Sequence, residues 1–152
     1  MKLEEFLTSR GVAFERLHHR PAYSANRVAQ ALHVPGKEVA KTVLLRAGRG
    51  YALAVLPAAC QVDLRRLGED LLGEPVEMAS EAEMGRVFPD CETGAMPPFG
   101  SLYQLRTVVD ESLAQDEQIV FEGQTHEEAI RMAYRDYEAL EHPLKGHFAC
   151  PA

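Results

Sequence analysis

The chain has 152 residues, 46% of them hydrophobic and 26% charged, with a net charge of −7. That composition suits a globular protein large enough to bury a core without disulfides or metals. It excludes attachment to nucleic acid by bulk positive charge, and no apolar run approaches the length of a membrane-spanning helix. Residues 2–9 predict a short helix with Leu3, Phe6 and Leu7 on one side, stopped near Gly11. VAFERLHH then suits a strand. Ser24 caps a helix through ANRVAQALHV, with Val28, Ala31 and Leu32 on its apolar face, and Pro35-Gly36 ends it. Two β-rich runs, 39–46 and 51–57, flank AGRG and predict a hairpin. VDLRRLGEDLL predicts a helix capped by Asp63. Ser80 and Glu83 have the spacing of a capping box that opens a helix over EAEMGRVF. After the uncharged loop TGAMPPFG, residues 93–100, LRTVVD, QIVFEG and EEAIRM read as strands. AYRDYEALEH reads as a closing helix that stops before Pro143. Strands and helices mix without the regular alternation of a doubly wound fold. The expected class is α+β, one compact domain over residues 1–152 around a mostly antiparallel or mixed sheet.

Charge is unevenly distributed. Residues 1–50 hold nine Lys/Arg and four Asp/Glu, whereas residues 51–152 hold seven and nineteen. Arg20, Lys37 and Arg49 are candidates for a basic docking surface; chance clustering on a solvated surface explains the asymmetry as well. Cys60, Cys91 and Cys150 are far apart and odd in number, which predicts reduced thiols. His142 and His147 have no cysteine or carboxylate pattern to complete a metal site. No metal and no cofactor are expected. The mixed MKLEEFLTSR, with two acidic and two basic residues, is not a signal peptide, which predicts a cytoplasmic protein.

Three features carry potential chemistry. Strand alternation puts Lys41 on one face with Val39, Val43 and Leu45. Such a lysine either snorkels from an edge strand or holds its ammonium in a pocket, as a compact charge for a phosphate or carbonyl oxygen. In TGAMPPFG, Gly94 and Gly100 permit unusual backbone angles, and Pro97-Pro98 stiffens the chain. The loop is either a rigid turn plugged into the core by Met96 and Phe99, or a platform that positions a substrate through backbone groups. His126, after a strand and a glycine, is a surface histidine, a base, or a group that orients water. There is no nucleophile elbow, no P-loop and no dinucleotide fingerprint.

Taken in order, VAKTVLLRAGRGYALAVLPAACQVDL, FPDCETGAMPPFGSLY and IVFEGQTHEEAIRMAYRDYEAL resemble the YbaK/prolyl-tRNA synthetase-associated editing domain family over roughly residues 3–142. The resemblance implies a compact α+β fold with a curved, barrel-like mixed sheet surrounded by helices. It implies hydrolysis of the ester joining a wrong, small amino acid to the terminal adenosine of tRNA. Lys41, Gly94 and His126 would be the catalytic positions. Ser24, Thr42, Ala95, Met96, Pro97, Pro98, Phe99 and Gly100 would lie on the substrate side. A ribose hydroxyl of the substrate would help activate the water, which accords with the missing nucleophile. The implied partner is the acceptor end of a mischarged tRNA, with transient contact to an aminoacyl-tRNA synthetase and no membrane. The sequence departs from the family pattern at Glu122, where a small residue is expected before Gly123, and at Ser24-Ala25, where Thr-Ala is usual. Two other readings remain open: a catalytically silent module that binds tRNA ends, a nucleotide or a protein, and a hydrolase of another small acyl ester or thioester.

Overall fold

The structure, a computed structural model, describes residues 2–151. Helix α1 (Lys2–Ser9) buries Leu3 and Leu7, one turn apart, in a core with Phe99, Phe121 and Tyr137. Strand β1 (Phe14–His18) pairs antiparallel with β8 (Glu128–Ala133), which pairs with β7 (Gln118–Glu122), in a three-stranded sheet. Helix α2 (Ala25–Leu32) starts where the Ser24 hydroxyl accepts the Arg27 N–H at 3.2 Å. Its buried side, Val28 and Ala29, covers Val39, Val120 and Ala129.

The predicted hairpin is β2 (Ala40–Ala47) and β3 (Gly50–Pro57), turned at Gly48-Arg49. It anchors a five-stranded sheet with order β5-β2-β3-β6-β9, completed by β5 (Val76–Met78), β6 (Arg106–Asp110) and β9 (Leu144–Gly146). β3–β6 and β6–β9 run parallel and the other pairs antiparallel, so the sheet is mixed. β4 (Cys60–Val62) and β10 (Ala149–Pro151) form a third pair. Asp63 caps α3 (Leu64–Arg66), which continues as a π-helical turn, Leu67–Leu72. Both halves of the predicted capping box are made at α4 (Glu81–Val87): Ser80 Oγ accepts the Glu83 N–H and Glu83 Oε1 accepts the Ser80 N–H. Helix α5 (Tyr134–Glu141) closes the fold against the first core.

The α+β class and the mixed sheet are as expected. The barrel-like arrangement is not closed: the strands divide into three open sheets. Val39, just before β2, forms a parallel bridge with Val120 of β7, both buried under α2. Beyond it no ladder continues between them among the described residues. Two positions further along, by strand alternation, Lys41 and Glu122 lie on the faces that Val39 and Val120 occupy. The strands part between a basic and an acidic side chain.

Candidate active site

The loop that follows α4 combines both of its expected roles at different residues. Its apolar half is a plug. Ala95, Met96 and Phe99 are fully or almost fully buried, and Pro97, Pro98 and Gly100 are buried with them. Phe99 meets Phe6, Phe121 and Tyr137 edge-on, with ring centroids 5.7, 5.8 and 5.1 Å away. The Tyr137 hydroxyl donates to the Pro98 carbonyl at 2.8 Å. Gly100 has no room for a side chain: a Cβ there would lie 2.9 Å from the Leu105 carbonyl oxygen and closer still to Thr107 Oγ1. The other half, Glu92 to Gly94, is exposed, and Gly94 adopts φ +90°, in the left-handed region that favours glycine.

His126 is tied directly to this exposed half. Its Nε2 lies 2.9 Å from the Thr93 carbonyl oxygen, and its backbone N–H donates to Glu92 Oε1 at 2.6 Å. A Cβ on Gly94 would stand 3.7 Å from His126 Cε1. Between the two segments, Glu92 N–H donates to the Gln124 carbonyl and Gln124 N–H to the Ala95 carbonyl. Gln124 itself sits at φ 77° and donates its side-chain amide to Asp90 at 2.9 Å. The sequence-predicted pair Gly94 and His126 is thus brought together by a lattice of hydrogen bonds.

Lys41 is half-buried, and its ammonium donates to the Cys60 carbonyl. Burial pulls its pKa below the usual lysine value, partly opposed by the Cys60 thiol. Among the described residues no hydrogen bond or ion pair joins Lys41 to the loop or to His126. Thr42 points to the opposite face of β2, where its buried Oγ1 has no hydrogen-bond partner among the described residues. Ser24 is occupied as the cap of α2.

Two residues of the site were missed in the sequence. Tyr23, 76% exposed, lays its ring on that of His126 with centroids 4.8 Å apart, while the Ala22 N–H donates to the His126 carbonyl. A concavity of about 440 Å³ opens beside it, lined by Pro21, Ala22, Tyr23, Ser24 and Arg27. A second cleft, of about 540 Å³ between α3 and β5, touches none of the residues singled out from the sequence. The other missed residue is Glu122, whose carboxyl is buried 3.8 Å from His126 Nδ1 and pushed up to about 8 by that burial. Its parity with buried Val120 was the available signal. Among the described residues, no three His, Cys, Asp or Glu side chains converge as a metal site.

A family model described as the aminoacyl-tRNA editing domain matches residues 19–140. The chain belongs to the aminoacyl-tRNA editing domain family. The matched stretch of this editing domain starts at the segment tied to His126 and takes in Ser24, Lys41 and Gly94. Solved structures with the same fold include a hypothetical protein, 21% identical at a TM-score of 0.90, covering 99% of this chain and 100% of that one. A candidate trans-editing enzyme for prolyl tRNA synthetase is 20% identical at a TM-score of 0.85, covering 97% of this chain and 94% of its own. A candidate signal transduction protein from Marinobacter aquaeolei covers 97% of this chain with 30% of its own length, at 20% identity and a TM-score of 0.75. None of the curated proteins compared with the chain matches it.

Proposed function

We propose that the protein is a trans-editing aminoacyl-tRNA deacylase, acting in the cytoplasm as one unit over residues 1–152. Water adds to the ester carbonyl carbon, the bond to the ribose oxygen breaks, and the products are a free amino acid and tRNA with its terminal hydroxyl restored. The observation that best supports this reading is the meeting of exposed Gly94 with His126 inside a stretch matched as an editing domain. An aminoacyl ester is already activated, so the enzyme chiefly has to place the carbonyl and the water; well-oriented groups supply up to about 7–11 kcal/mol of a barrier in this way. Because side chains from Ala95 to Phe99 are buried, substrate meets the loop through the backbone around Thr93 and Gly94. Lys41 supplies a positive charge for the terminal adenosine or its phosphate, replacing the Cys60 carbonyl as its partner. The substrate is a small amino acid, admitted by size as in a second sieve. Transient contact with an aminoacyl-tRNA synthetase would deliver it.

The direct test is a minimal aminoacyl-adenosine ester, assayed with and without EDTA. Hydrolysis that survives chelation agrees with a reaction needing no metal. Activity lost on chelation and restored by zinc contradicts it. Tight binding of the ester without hydrolysis points instead to a silent module for tRNA ends.

A further inference from the structure

Two buried atoms at the site face each other unsatisfied. His126 Nδ1 and Glu122 Oε1 are 3.8 Å apart, outside hydrogen-bond distance, and neither has a hydrogen-bond partner among the described residues. A buried polar atom left unpaired is destabilising, so the two should be filled by each other. The other ring nitrogen decides how the pair is filled. The Thr93 carbonyl beside Nε2 can only accept, so Nε2 carries a hydrogen. A neutral ring then turns a lone pair at Nδ1 toward Glu122. A carboxylate there is repelled, whereas a carboxylic acid donates to it.

The surroundings favour the acid. Burial raises the Glu122 pKa to about 8. Lys41, in register with it past the Val39–Val120 bridge, gives its ammonium to the Cys60 carbonyl. From the 90–95 segment, Glu92 accepts the His126 backbone N–H and Asp90 accepts the Gln124 amide. Glu128 on β8 is bonded to Thr125, and the Tyr23 ring covers His126. Among these groups the one lysine, Lys41, is engaged at the Cys60 carbonyl and does not hold Glu122 ionised.

We propose that Glu122 is a positioning residue: its acid O–H donates to His126 Nδ1, locking the ring with its hydrogen on Nε2, and Nε2–H holds the Thr93 carbonyl so that Gly94 keeps its left-handed turn. A small side-chain rotation closes the first contact. His126 in this arrangement is a brace on the loop rather than a free base. Removing the Glu122 proton reverses the chain. The carboxylate draws the ring hydrogen to Nδ1, and Nε2 then presents a lone pair to the Thr93 carbonyl.

The test is ¹⁵N NMR of the histidine rings in the full chain, from about pH 7 to about pH 10. Wild type starts with hydrogen on Nε2 and shifts toward Nδ1 as pH rises. Glu122→Gln stays on Nε2 throughout, because its amide donates at every pH. Glu122→Leu keeps the hydrogen on Nε2 through the Thr93 carbonyl alone and shows no shift toward Nδ1 as pH rises. A ring doubly protonated at neutral pH, or a wild-type ring that keeps its hydrogen on Nε2 up to about pH 10, overturns the proposal. A kinetic consequence rests on the deacylase reading. Glu122→Leu lowers kcat about tenfold with little change in KM, the cost of a misplaced loop, and Glu122→Gln recovers it. A kcat equal to wild type in Glu122→Leu contradicts the positioning role. If wild type releases no amino acid, the deacylase reading fails while the tautomer result still decides the proton chain.

Discussion

A charged side chain on an apolar strand face must reach water or find a partner. Lys41 and Glu122, two positions past the same bridge, solve this differently. Lys41 finds a carbonyl, at Cys60, and loses some of its basicity to burial. Glu122 finds no lysine or arginine partner among the described residues, and burial holds it toward its neutral form. That difference is measurable. The folded protein keeps the Glu122 proton to about pH 8, whereas the unfolded chain releases it near the ordinary carboxylate value of 4.5. The stabilising effect of the neutral form is therefore complete below that ordinary value and is lost as pH rises through about 8. The slope is at most about 1.4 kcal/mol per pH unit. Glu122→Gln has no such proton, so urea unfolding should show wild type weakening relative to it across this window. A stability difference that is flat with pH contradicts a neutral, buried Glu122.

At the scale of the element, the loop at 93–100 is a buried anchor carrying an exposed turn. The anchor explains two prolines, a methionine and a phenylalanine in an acidic protein: three aromatic rings enclose Phe99. The turn explains Gly94. A Cβ there has space, with the nearest contact at an ordinary 3.7 Å, but a valine must adopt φ +90°, a backbone strain of about 1–3 kcal/mol. Gly94→Val should remain folded, with thermal unfolding lowered by that order, and should lose most of its deacylation. Equal activity on mischarged tRNA would show that the turn is only structural. The hairpin, the caps at Ser24, Asp63 and Ser80, and the closing helix were legible because period, turn and cap signals coincide there. Strands β4, β5, β9 and β10 were not, since three residues carry no measurable alternation. The split of the loop into plug and turn was also hidden. It depends on Tyr137 and Phe6, far away in the chain, and composition alone supports either role. Gly94 and His126 could be singled out, but their meeting follows from the hydrogen bonds of Glu92 and Gln124.

For the molecule as a whole, the basic first third is not one surface. Arg20, Arg27 and Lys37 are exposed on the segments around α2, near the Tyr23 concavity and the start of β2. Arg49 is exposed at the hairpin turn, past Ala47, which lies six strand residues from Lys41, a distance of about 20 Å at 3.3 Å per residue. Docking of an acceptor stem should therefore use few phosphates. Each one neutralised contributes roughly −0.7 to −0.9 to the slope of log affinity against log salt, so a slope of about −2 to −4 is expected. Reversing the charges of Arg20, Arg27 and Lys37 together should weaken use of whole tRNA while sparing a minimal aminoacyl-adenosine ester. Normal handling of whole tRNA by the triple variant would place docking elsewhere. The central claim is that this chain cleaves the aminoacyl ester and that Lys41 takes part. It is tested most directly by a panel of mischarged tRNAs, with release of each small amino acid followed for wild type and for Lys41→Ala. The account predicts release of at least one amino acid by wild type, and its loss in a Lys41→Ala protein with an unchanged fold. No release from any tRNA, or near-wild-type turnover by Lys41→Ala, would contradict it.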